Sequence, residues 1–499
     1  MSVDKAILEK LKRIMKISKS IKMEQMQSML NLDTKTFNSK ILDWAEKFDF
    51  TIDRDYININ KRTIDNFIDL LDNQFKSWET IETNRTGKIA DSKSDQTIEL
   101  EIKEDIRKES EDRIEKIKSF RETQIPQVEA DFLLEIEKQV KKKFVLVKDV
   151  SWSAEMVFSV GNQRITGVGL FKGGLTTLPK SIKELKSLQK LMLIYNHLTE
   201  LPEGLFELKS LRKLLLRSNQ LSKLPESIGN LSNLIELSLE NNNLSTLPTS
   251  CVNLTHLERL NLTSNQFLDF PQPILKIKNL RNLTLMSNNL SSIPESITDL
   301  NNLKSLILSN NNLSNLPDSI SKMKSLTDIW LDSNQFEKLP ESFGQLTNLK
   351  NLWIHDNPLG VLPECILSLS SLRELRIDNN QLKTLPKNIG KLTSLEELLV
   401  RNNQLTSLPD SITNLNSLRT LWLNNNPFGS IPKQLLELKS LKILGIHEIG
   451  LETLPNSLLK LQSLKSIYMS DNPFAKKPDR NTKTVLAKLK KKGVKVNMD

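Results

Sequence analysis

The side chains best suited to metal binding or nucleophilic catalysis are few in this sequence. The four histidines and two cysteines are His197, His256, His355, His447, Cys251 and Cys365. Zinc sites draw their ligands from closely spaced pairs of such residues, and these six show no such grouping. The sequence therefore predicts no metal site and no bound cofactor.

Phosphate and acyl-transfer chemistry also lack their motifs. A nucleotide-binding loop needs the pattern GxxxxGK[ST], and the nearest fragment, Thr86-Gly87-Lys88, lacks the earlier glycine. There is no GxSxG nucleophile motif and no kinase signature set. We therefore predict a protein that is not an enzyme.

Tryptophan is the residue type whose spacing suggests a function. Trp330 and Trp353 are 23 residues apart, and Trp422 follows after three more intervals of 23. Aromatic residues make up only 5% of the chain, so three of its six tryptophans in one register need an explanation. Tryptophan is typical of the residues that dominate protein-protein interfaces. The 23-residue interval must come from the elements that position these side chains.

The same interval governs most of the chain. From residue 180 onward the pattern LPxSIxxLxxLxxLxLxxNxLxx recurs, and one asparagine marks each unit. These asparagines are Asn196, Asn219, Asn242, Asn265, Asn288, Asn311, Asn334, Asn357, Asn380, Asn403, Asn426 and Asn472. Only Ile449 breaks the series. A fixed period of this length indicates a solenoid, in which each unit buries its apolar face against its neighbours.

The residue types within a unit predict its local structure. In LxLxxN the two leucines point to one side of a short strand, and the residue between them points to the opposite side. Stacked units then form a parallel sheet. The asparagine amide can pair backbone groups that would otherwise be buried without partners. The proline begins an outer segment whose Ile and Leu residues have helical spacing.

This unit resembles the leucine-rich repeats of the intracellular Ras-group type, LPxxIxxLxxLxxLxLxxNxL. The resemblance extends over about residues 165–480, roughly two thirds of the chain. It implies an α/β solenoid, the leucine-rich repeat horseshoe, with a parallel sheet on its concave side. It also makes small GTPases or their effectors candidate partners.

Both ends of the solenoid need caps, because terminal units have only one neighbour. We assign the repeats to residues 176–475 and an N-terminal cap to residues 126–175. This cap combines a helix that begins at Pro126 with a degenerate first coil at 164–179, in which Gly173 takes the asparagine position. Residues 476–499 form a basic C-terminal cap, with a helix over 481–492 and a last strand at 494–496.

The residues before the repeats have a different pattern. Residues 1–80 predict three helices, a hairpin at 50–59 around Asp53-Arg54-Asp55, and a fourth helix. This order resembles a winged-helix domain of the PCI-like, protein-binding kind, a small α+β module. Residues 81–125 read as a flexible linker and a charged helix, which is either a short coiled coil or a solvated helix.

The distribution of charge bears on nucleic-acid binding. The formal net charge is +10, and residues 476–499 carry about +7 of it, while residues 1–80 carry about +1. A DNA-binding module usually has a basic surface, so the low charge of the winged-helix-like domain argues against nucleic acid as its partner. The alternative is a nucleic-acid-associated regulator that uses this domain and the basic tail at 488–495. Membrane association through the tail is less favoured, because its apolar residues are needed to close the solenoid.

The expected location is the cytoplasm. The first twenty residues lack the apolar core and cleavage site of a secretory signal. No run of residues approaches 18 consecutive apolar positions, so no membrane span is predicted.

The predicted binding site lies on the concave sheet, at the positions between and beside the inward leucines. The partner-binding residues are Trp330, Asp332, Trp353, His355, Arg376, Asp378, Arg401, Trp422 and Tyr468. Aromatic and arginine side chains in this arrangement predict a protein-binding surface. In the alternative, the tryptophans only stack on one another.

The leading hypothesis is a scaffold or adaptor that holds a protein partner on the concave face and recruits a second through its N-terminal domain. Neither Trp353 nor Trp422 is expected to support folding.

Overall fold

The computed structural model describes residues 125–151 and 155–498, together with scattered positions between residues 15 and 70. The chain divides into two compact units, Met1–Gly173 and Gly174–Asp499. Residues 81–124, which include most of the predicted linker and charged helix, lie outside the described residues.

The N-terminal part of the first unit contains a small antiparallel sheet. Its strands are β1 (Ser20–Lys22), β2 (Thr51–Asp53) and β3 (Tyr56–Asn58), in the order β1-β3-β2. Strands β2 and β3 form the predicted hairpin, whereas β1 was not expected. Near them, the ring of Phe67 meets those of Trp44 and Phe50 edge-on, with centroids 5.2 and 5.1 Å away.

From residue 125 onward, the described residues of the first unit include a helix followed by three strands. These are α1 (Gln127–Val140), β4 (Val145–Leu146), β5 (Met156–Gly161) and β6 (Arg164–Phe171). Strands β5 and β6 pair antiparallel, and Asn162 and Gln163 at their turn have φ of 51° and 59°. Two left-handed residues are what a tight hairpin turn requires. Residues 164–170, expected as the strand of a degenerate first coil, lie in strand β6 of this hairpin.

A buried carboxylate joins α1 to this hairpin. The Glu129 side chain is fully buried and accepts hydrogen bonds from Arg164 Nη1 and Ile165 N, both at 2.8 Å. A buried charge is tolerated only when it is paired and hydrogen-bonded in this way. The apolar side of α1, with Phe132, Leu133 and Ile136, is completely buried.

Fourteen short parallel strands follow one another through the described residues of the second unit, and each pairs with the next. They are β7 (Lys190–Ile194), β8 (Lys213–Leu215), β9 (Glu236–Ser238), β10 (Arg259–Asn261), β11 (Asn282–Thr284), β12 (Ser305–Ile307), β13 (Asp328–Trp330), β14 (Asn351–Trp353), β15 (Glu374–Arg376), β16 (Glu397–Leu399), β17 (Thr420–Trp422), β18 (Ile443–Gly445), β19 (Ser466–Tyr468) and β20 (Lys495–Asn497). From β7 to β19 each pair joins residues 23 positions apart, so equivalent side chains form straight ladders across the sheet.

The return segments between strands contain short 3-10 helices, most of which begin directly after a proline. They span Lys180–Glu184, Glu203–Glu207, Glu226–Asn230, Thr249–Asn253, Gln272–Lys276, Glu295–Asp299, Asp318–Lys322, Glu341–Gln345, Glu364–Ser368, Ile389–Lys391, Asp410–Asn414, Lys433–Glu437 and Asn456–Lys460. Proline fixes φ at a value suited to the first helical position. Each helix buries at least one apolar side chain, such as Ile320, which is 0% exposed.

The C-terminal end of the second unit contains two helices, α2 (Pro473–Lys476) and α3 (Arg480–Lys491), followed by β20. The α3 side chains Val485 and Leu489 are buried, as the amphipathic pattern predicts. Asp479 caps α3 by accepting a hydrogen bond from Thr482 N at 2.6 Å, and its hydrogen bonds with Thr482 lower the pKa of Asp479. The Thr482 hydroxyl in turn accepts a bond from Leu454 N at 3.0 Å, which ties the helix to the last full coil.

The asparagine ladder connects the backbones of successive coils. All twelve predicted asparagines are buried, with at most 8% of their surface exposed. Asn334 is typical: its Nδ2 donates to Leu308 O and Leu331 O at 3.0 Å, and its Oδ1 accepts from Leu313 N at 3.0 Å. The preceding residue, Ser333, has φ of 54°, and the same left-handed turn precedes every ladder asparagine. One side chain thus pairs backbone groups that no strand reaches.

A proline after the asparagine changes the contact in the next coil. Pro358 has no N–H and redirects the chain, so Gly360 N donates to the backbone oxygen of Asn380 at 2.9 Å. The side-chain Oδ1 of Asn380 then has no hydrogen-bond partner among the described residues, although it is buried. Its Nδ2 still donates to Ile354 O at 3.0 Å.

The same arrangement explains the interruption at Ile449. Pro427 also follows a ladder asparagine, and Gly429 N donates to Ile449 O at 2.8 Å. An asparagine oxygen at position 449 would therefore lack its usual donor. An apolar residue, here fully buried, loses nothing on that side.

We predict that Asn334→Ile destabilises the protein more than Asn380→Ile, by about 1–3 kcal/mol, because only the first leaves a buried backbone N–H without its acceptor. The two positions are matched in burial and in residue type. Urea unfolding midpoints followed by circular dichroism measure the difference. Equal losses of stability for the two variants would contradict the proposed role of the proline.

Candidate functional site

The outward side of the strands, termed the sheet face, is where the predicted partner-binding residues lie. In β13, Ile329 is fully buried in the core, while Asp328 and Trp330 on either side point outward and are partly exposed. In every coil the sheet face therefore consists of the residue equivalent to Trp330 and those two positions before and after it. This is the surface that the sequence predicts to be concave.

Three side chains of neighbouring strands form a continuous pile, termed the aromatic stack. The rings of Trp330 and Trp353 are parallel within 8°, with centroids 3.9 Å apart. The Arg376 guanidinium carbon lies 3.7 Å from the Trp353 ring centroid, and Arg376 Nε donates to Glu374 Oε1 at 2.6 Å. Strands about 4.8 Å apart place equivalent side chains at nearly stacking distance.

The stack changes the expected role of Trp353. This residue is only 7% exposed, because Trp330 covers one face of its ring and Arg376 the other. Its indole Nε1 is buried and has no hydrogen-bond partner among the described residues. The expectation that Trp353 does not support folding is therefore at odds with its burial, while Trp330 remains partly exposed.

A second aromatic contact lies further along the same ladder. Trp422 and Tyr468 belong to strands that are not adjacent, yet their ring centroids are 4.9 Å apart. They meet because Gly445 lies between them: a Cβ on Gly445 would be 2.1 Å from Trp422 Cε3. Burial raises the pKa of Tyr468, and a hydrogen bond with Asn497 opposes this shift.

Neither Gly445 nor Asn497 was among the predicted site residues. Glycine in a strand often marks a close approach by another group, and this signal was available in the sequence. No feature of the sequence predicts the contact of Asn497 with Tyr468. Strand β20 lies outside the repeat, so its register in the sheet depends on the capping helix before it and not on the 23-residue period.

The polar positions of the site are largely engaged with one another. Asp332 is 2% exposed, accepts a hydrogen bond from Ser309 Oγ at 2.5 Å, and has His355 Nε2 at 3.7 Å. The other ring nitrogen of His355 lies 2.7 Å from Asp356 Oδ2. This chain of contacts orders the side chains across three coils but aligns no serine with a histidine, so it does not form a catalytic triad.

Asp378 and Arg401 form a similar structural pair. Asp378 is 4% exposed, and its carboxylate accepts bonds from the Arg401 backbone N at 2.6 Å, Nε at 3.1 Å and Nη2 at 3.2 Å. A two-pronged contact of this kind fixes the orientation of the guanidinium. Of the nine predicted residues, Asp332, Trp353 and Asp378 are thus buried, and the other six are partly exposed.

Both cysteines are buried thiols. Burial raises the pKa of Cys251 to about 12 and that of Cys365 to about 11, so both remain protonated at neutral pH and are poor nucleophiles. In the part of the chain that the structure describes, no group of His, Cys, Asp and Glu side chains is arranged to hold a metal ion. The described helices are likewise all too short or too polar to cross a bilayer.

Comparisons with known proteins agree on the repeat. A family described as "Leucine-rich repeat region" matches residues 271–363, and one described as "Leucine rich repeat" matches residues 210–267 and 370–428. A solved leucine-rich repeat protein of Leptospira interrogans is 36% identical, with a TM-score of 0.62, over 66% of this chain and 83% of its own. An internalin of Listeria monocytogenes is 23% identical, with a TM-score of 0.51, over 68% of this chain and 94% of its own, which supports the fold alone. No curated protein matches the sequence.

We predict that Trp353→Ala lowers stability by about 2–4 kcal/mol and Trp330→Ala by about 1 kcal/mol, because only Trp353 is covered on both ring faces. Urea unfolding midpoints of the two variants provide the measurement. A loss for Trp353→Ala no larger than that for Trp330→Ala would show that the stack contributes little to folding.

Gly445→Ala is expected to push the Trp422 ring away from Tyr468, because the added Cβ has no room beside it. The near-ultraviolet circular dichroism of the aromatic pair should weaken, and stability should fall by about 1–3 kcal/mol. Thr284→Ala, at the equivalent position of β11, is the control and should change neither. An unaltered aromatic spectrum for Gly445→Ala would rule out the contact over glycine.

Proposed function

Because this chain belongs to the leucine-rich repeat family, whose members generally mediate protein-protein interaction, we propose that it is a non-enzymatic scaffold or adaptor that binds a protein partner on its sheet face. One observation carries the proposal: Trp330, Trp422 and Tyr468 are partly exposed on the sheet face. Strand pairing and core packing are complete without them, because the inward residues of the same strands fill the core.

The composition of the surface supports a protein ligand. Large rigid aromatic side chains contribute much contact area for little loss of conformational entropy, and arginine is the other residue type enriched at such interfaces. Arg376 and Arg401 lie on the same surface and are held by Glu374 and Asp378. A surface whose side chains are already fixed loses little further entropy on binding.

We also propose that the protein has no catalytic role. Both thiols are kept protonated by burial, and the histidines are distributed over separate coils. The proposed molecule therefore acts by bringing other proteins together. Two reduced cysteines are in keeping with an intracellular, cytoplasmic location, which we also propose.

The repeat type suggests a class of partner. The LPxxIxxLxxL unit resembles the intracellular Ras-group repeats, and on that resemblance we propose a small GTPase or one of its effectors as the ligand, in a signalling role.

We further propose that residues 1–80 form a winged-helix-like domain that recruits a second protein. The sheet order β1-β3-β2, with buried helical residues such as Trp44 and Phe67, supports this arrangement. Residues 1–80 carry a net charge of only about +1, which favours a protein ligand over DNA.

The nucleic-acid alternative depends on the basic C-terminal end. Residues 476–495 carry nine lysine and arginine side chains. Three of them lie in the last turn of α3, namely Lys488, Lys490 and Lys491. Positive charges at this end of a helix are stabilised by the helix dipole, so these lysines also have a structural role. We therefore keep protein binding as the proposed function.

Affinity purification with the full-length protein tests the proposal. The double variant Trp330→Ala/Trp422→Ala should lose partners that the wild type retains, because binding energy concentrates in a few aromatic residues. The matched control is Leu268→Ala/Val361→Ala, which removes the two most exposed large apolar side chains among the described residues, 65% and 68% exposed, at positions off the sheet face. Identical partner profiles for all three proteins would place binding elsewhere.

A further inference from the structure

Negative charge is concentrated in one part of the sheet face. On strands β13 to β16 and the residues directly after them, the outward positions carry five carboxylates and two guanidinium groups, namely Asp328, Asp332, Glu374, Asp378, Glu397, Arg376 and Arg401. Asp332 and Asp378 are buried, so the partly exposed carboxylates are Asp328, Glu374 and Glu397. We call this region the acidic segment. It lies on a protein whose formal net charge is +10.

The flanking parts of the sheet face differ. The first strands carry Lys190, Lys213, Arg217 and Arg259. The last three pair across coils with Glu236 or Glu240, for example Lys213 Nζ with Glu236 Oε2 at 2.8 Å. The last strands, β17 to β19, carry no carboxylate at their outward positions, and the acid there is replaced by Asn424 and Ser470. The acidic segment is therefore a local feature, and it coincides with the aromatic stack.

The stack itself shows which chemistry fits this surface. At one end, the Arg376 guanidinium lies on the face of Trp353 and is held by the carboxylate of Glu374, two residues earlier in the same strand. At the other end, Trp330 is partly exposed. Asp328, two residues before Trp330, is the positional equivalent of Glu374. The outward positions of the strand beyond Trp330 are Ser305, Ile307 and Ser309, so this strand supplies no cation to that side of the ring.

We infer that the acidic segment binds an extended, arginine-bearing peptide segment of a partner, with one guanidinium lying on Trp330 as Arg376 lies on Trp353. This inference rests on the proposed function and specifies the chemistry of its partner. Arginine suits the site better than lysine, because its planar guanidinium stacks on an aromatic face and also pairs with a carboxylate.

The dimensions suit an extended chain. From Ile307 to Leu399 the ladder crosses four strand intervals, roughly 19 Å at about 4.8 Å each. An extended peptide advances about 3.3 Å per residue, so roughly six residues span this distance.

The Trp353 indole N–H adds an independent reason for a ligand. It lies in the middle of the acidic segment, buried and without an acceptor among the described residues. A buried donor without a partner is unfavourable, and a carbonyl oxygen of a bound peptide is an acceptor that could satisfy it.

Fluorescence anisotropy with labelled peptides tests the inference on the full-length protein. The probes are nona-arginine, nona-lysine and nona-glutamate at about 0.15 M salt, where exposed charges more than about 8 Å apart are screened. Nona-arginine should bind more tightly than nona-lysine, and nona-glutamate should not compete with it. Trp330→Ala should weaken nona-arginine roughly three- to tenfold, in line with the loss of one cation-aromatic contact.

Three further variants make the result specific. Trp330→Phe keeps an aromatic face and should retain part of the arginine preference, which also excludes misfolding as the cause of the loss. Asp328→Asn should weaken nona-arginine and nona-lysine alike. Leu268→Ala, at an exposed position off the sheet face, should leave both affinities within twofold of the wild type. An affinity for nona-arginine that Trp330→Ala does not change, or one no greater than that for nona-lysine, would overturn the inference.

The outcome can be separated from that of the proposed function. If Trp330→Ala/Trp422→Ala loses partners but no peptide shows an arginine preference, the sheet face binds proteins by other chemistry and only the inference fails. If sedimentation shows that the protein associates with itself through Trp330, the basic occupant is a second copy of this chain, and the peptide assignment is wrong.

Discussion

The hydrogen bonds from each ladder asparagine to the backbone of neighbouring coils are the contacts on which the second unit depends. The strands are mostly three residues long and too short to pair all the backbone groups of a 23-residue coil. The asparagine side chain supplies the missing donors and acceptor where the chain turns inward, and a left-handed residue before it makes the turn. Because unpaired buried backbone groups are costly, the period of 23 cannot drift without loss of stability.

This constraint applies to the inward positions and leaves the outward ones free. Leucine, isoleucine and asparagine occupy the interior in almost every coil, and their replacement affects the neighbouring coils as well. The sheet face carries no comparable requirement, and its residues change from basic to acidic to neutral along the ladder. A departure from the average composition at an outward position therefore carries information about function that the same residue in the core would not.

The period predicts much of this structure from the sequence, but it does not predict contacts that depend on side-chain direction. The strand positions, the asparagine ladder and the amphipathic α3 follow from spacing alone. The burial of Trp353 does not, because it depends on how the rings of Trp330 and Trp353 turn relative to the strand. The β5-β6 hairpin lies outside the period, and the unpaired Oδ1 of Asn380 follows from a proline in the preceding coil.

The spacing of parallel strands also limits how a recognition surface can be built. Strand separation is nearly constant at about 4.8 Å, so aromatic residues on adjacent strands necessarily touch. Where two follow directly, as at Trp330 and Trp353, one covers the other; where a glycine lies between them, as at Gly445, they lean together across it. In both cases the rings support each other before any ligand arrives. The contacts that bury most of each ring also fix the orientation of its exposed edge. The side chains therefore lose their conformational entropy when the protein folds, and little further entropy is lost when a ligand binds.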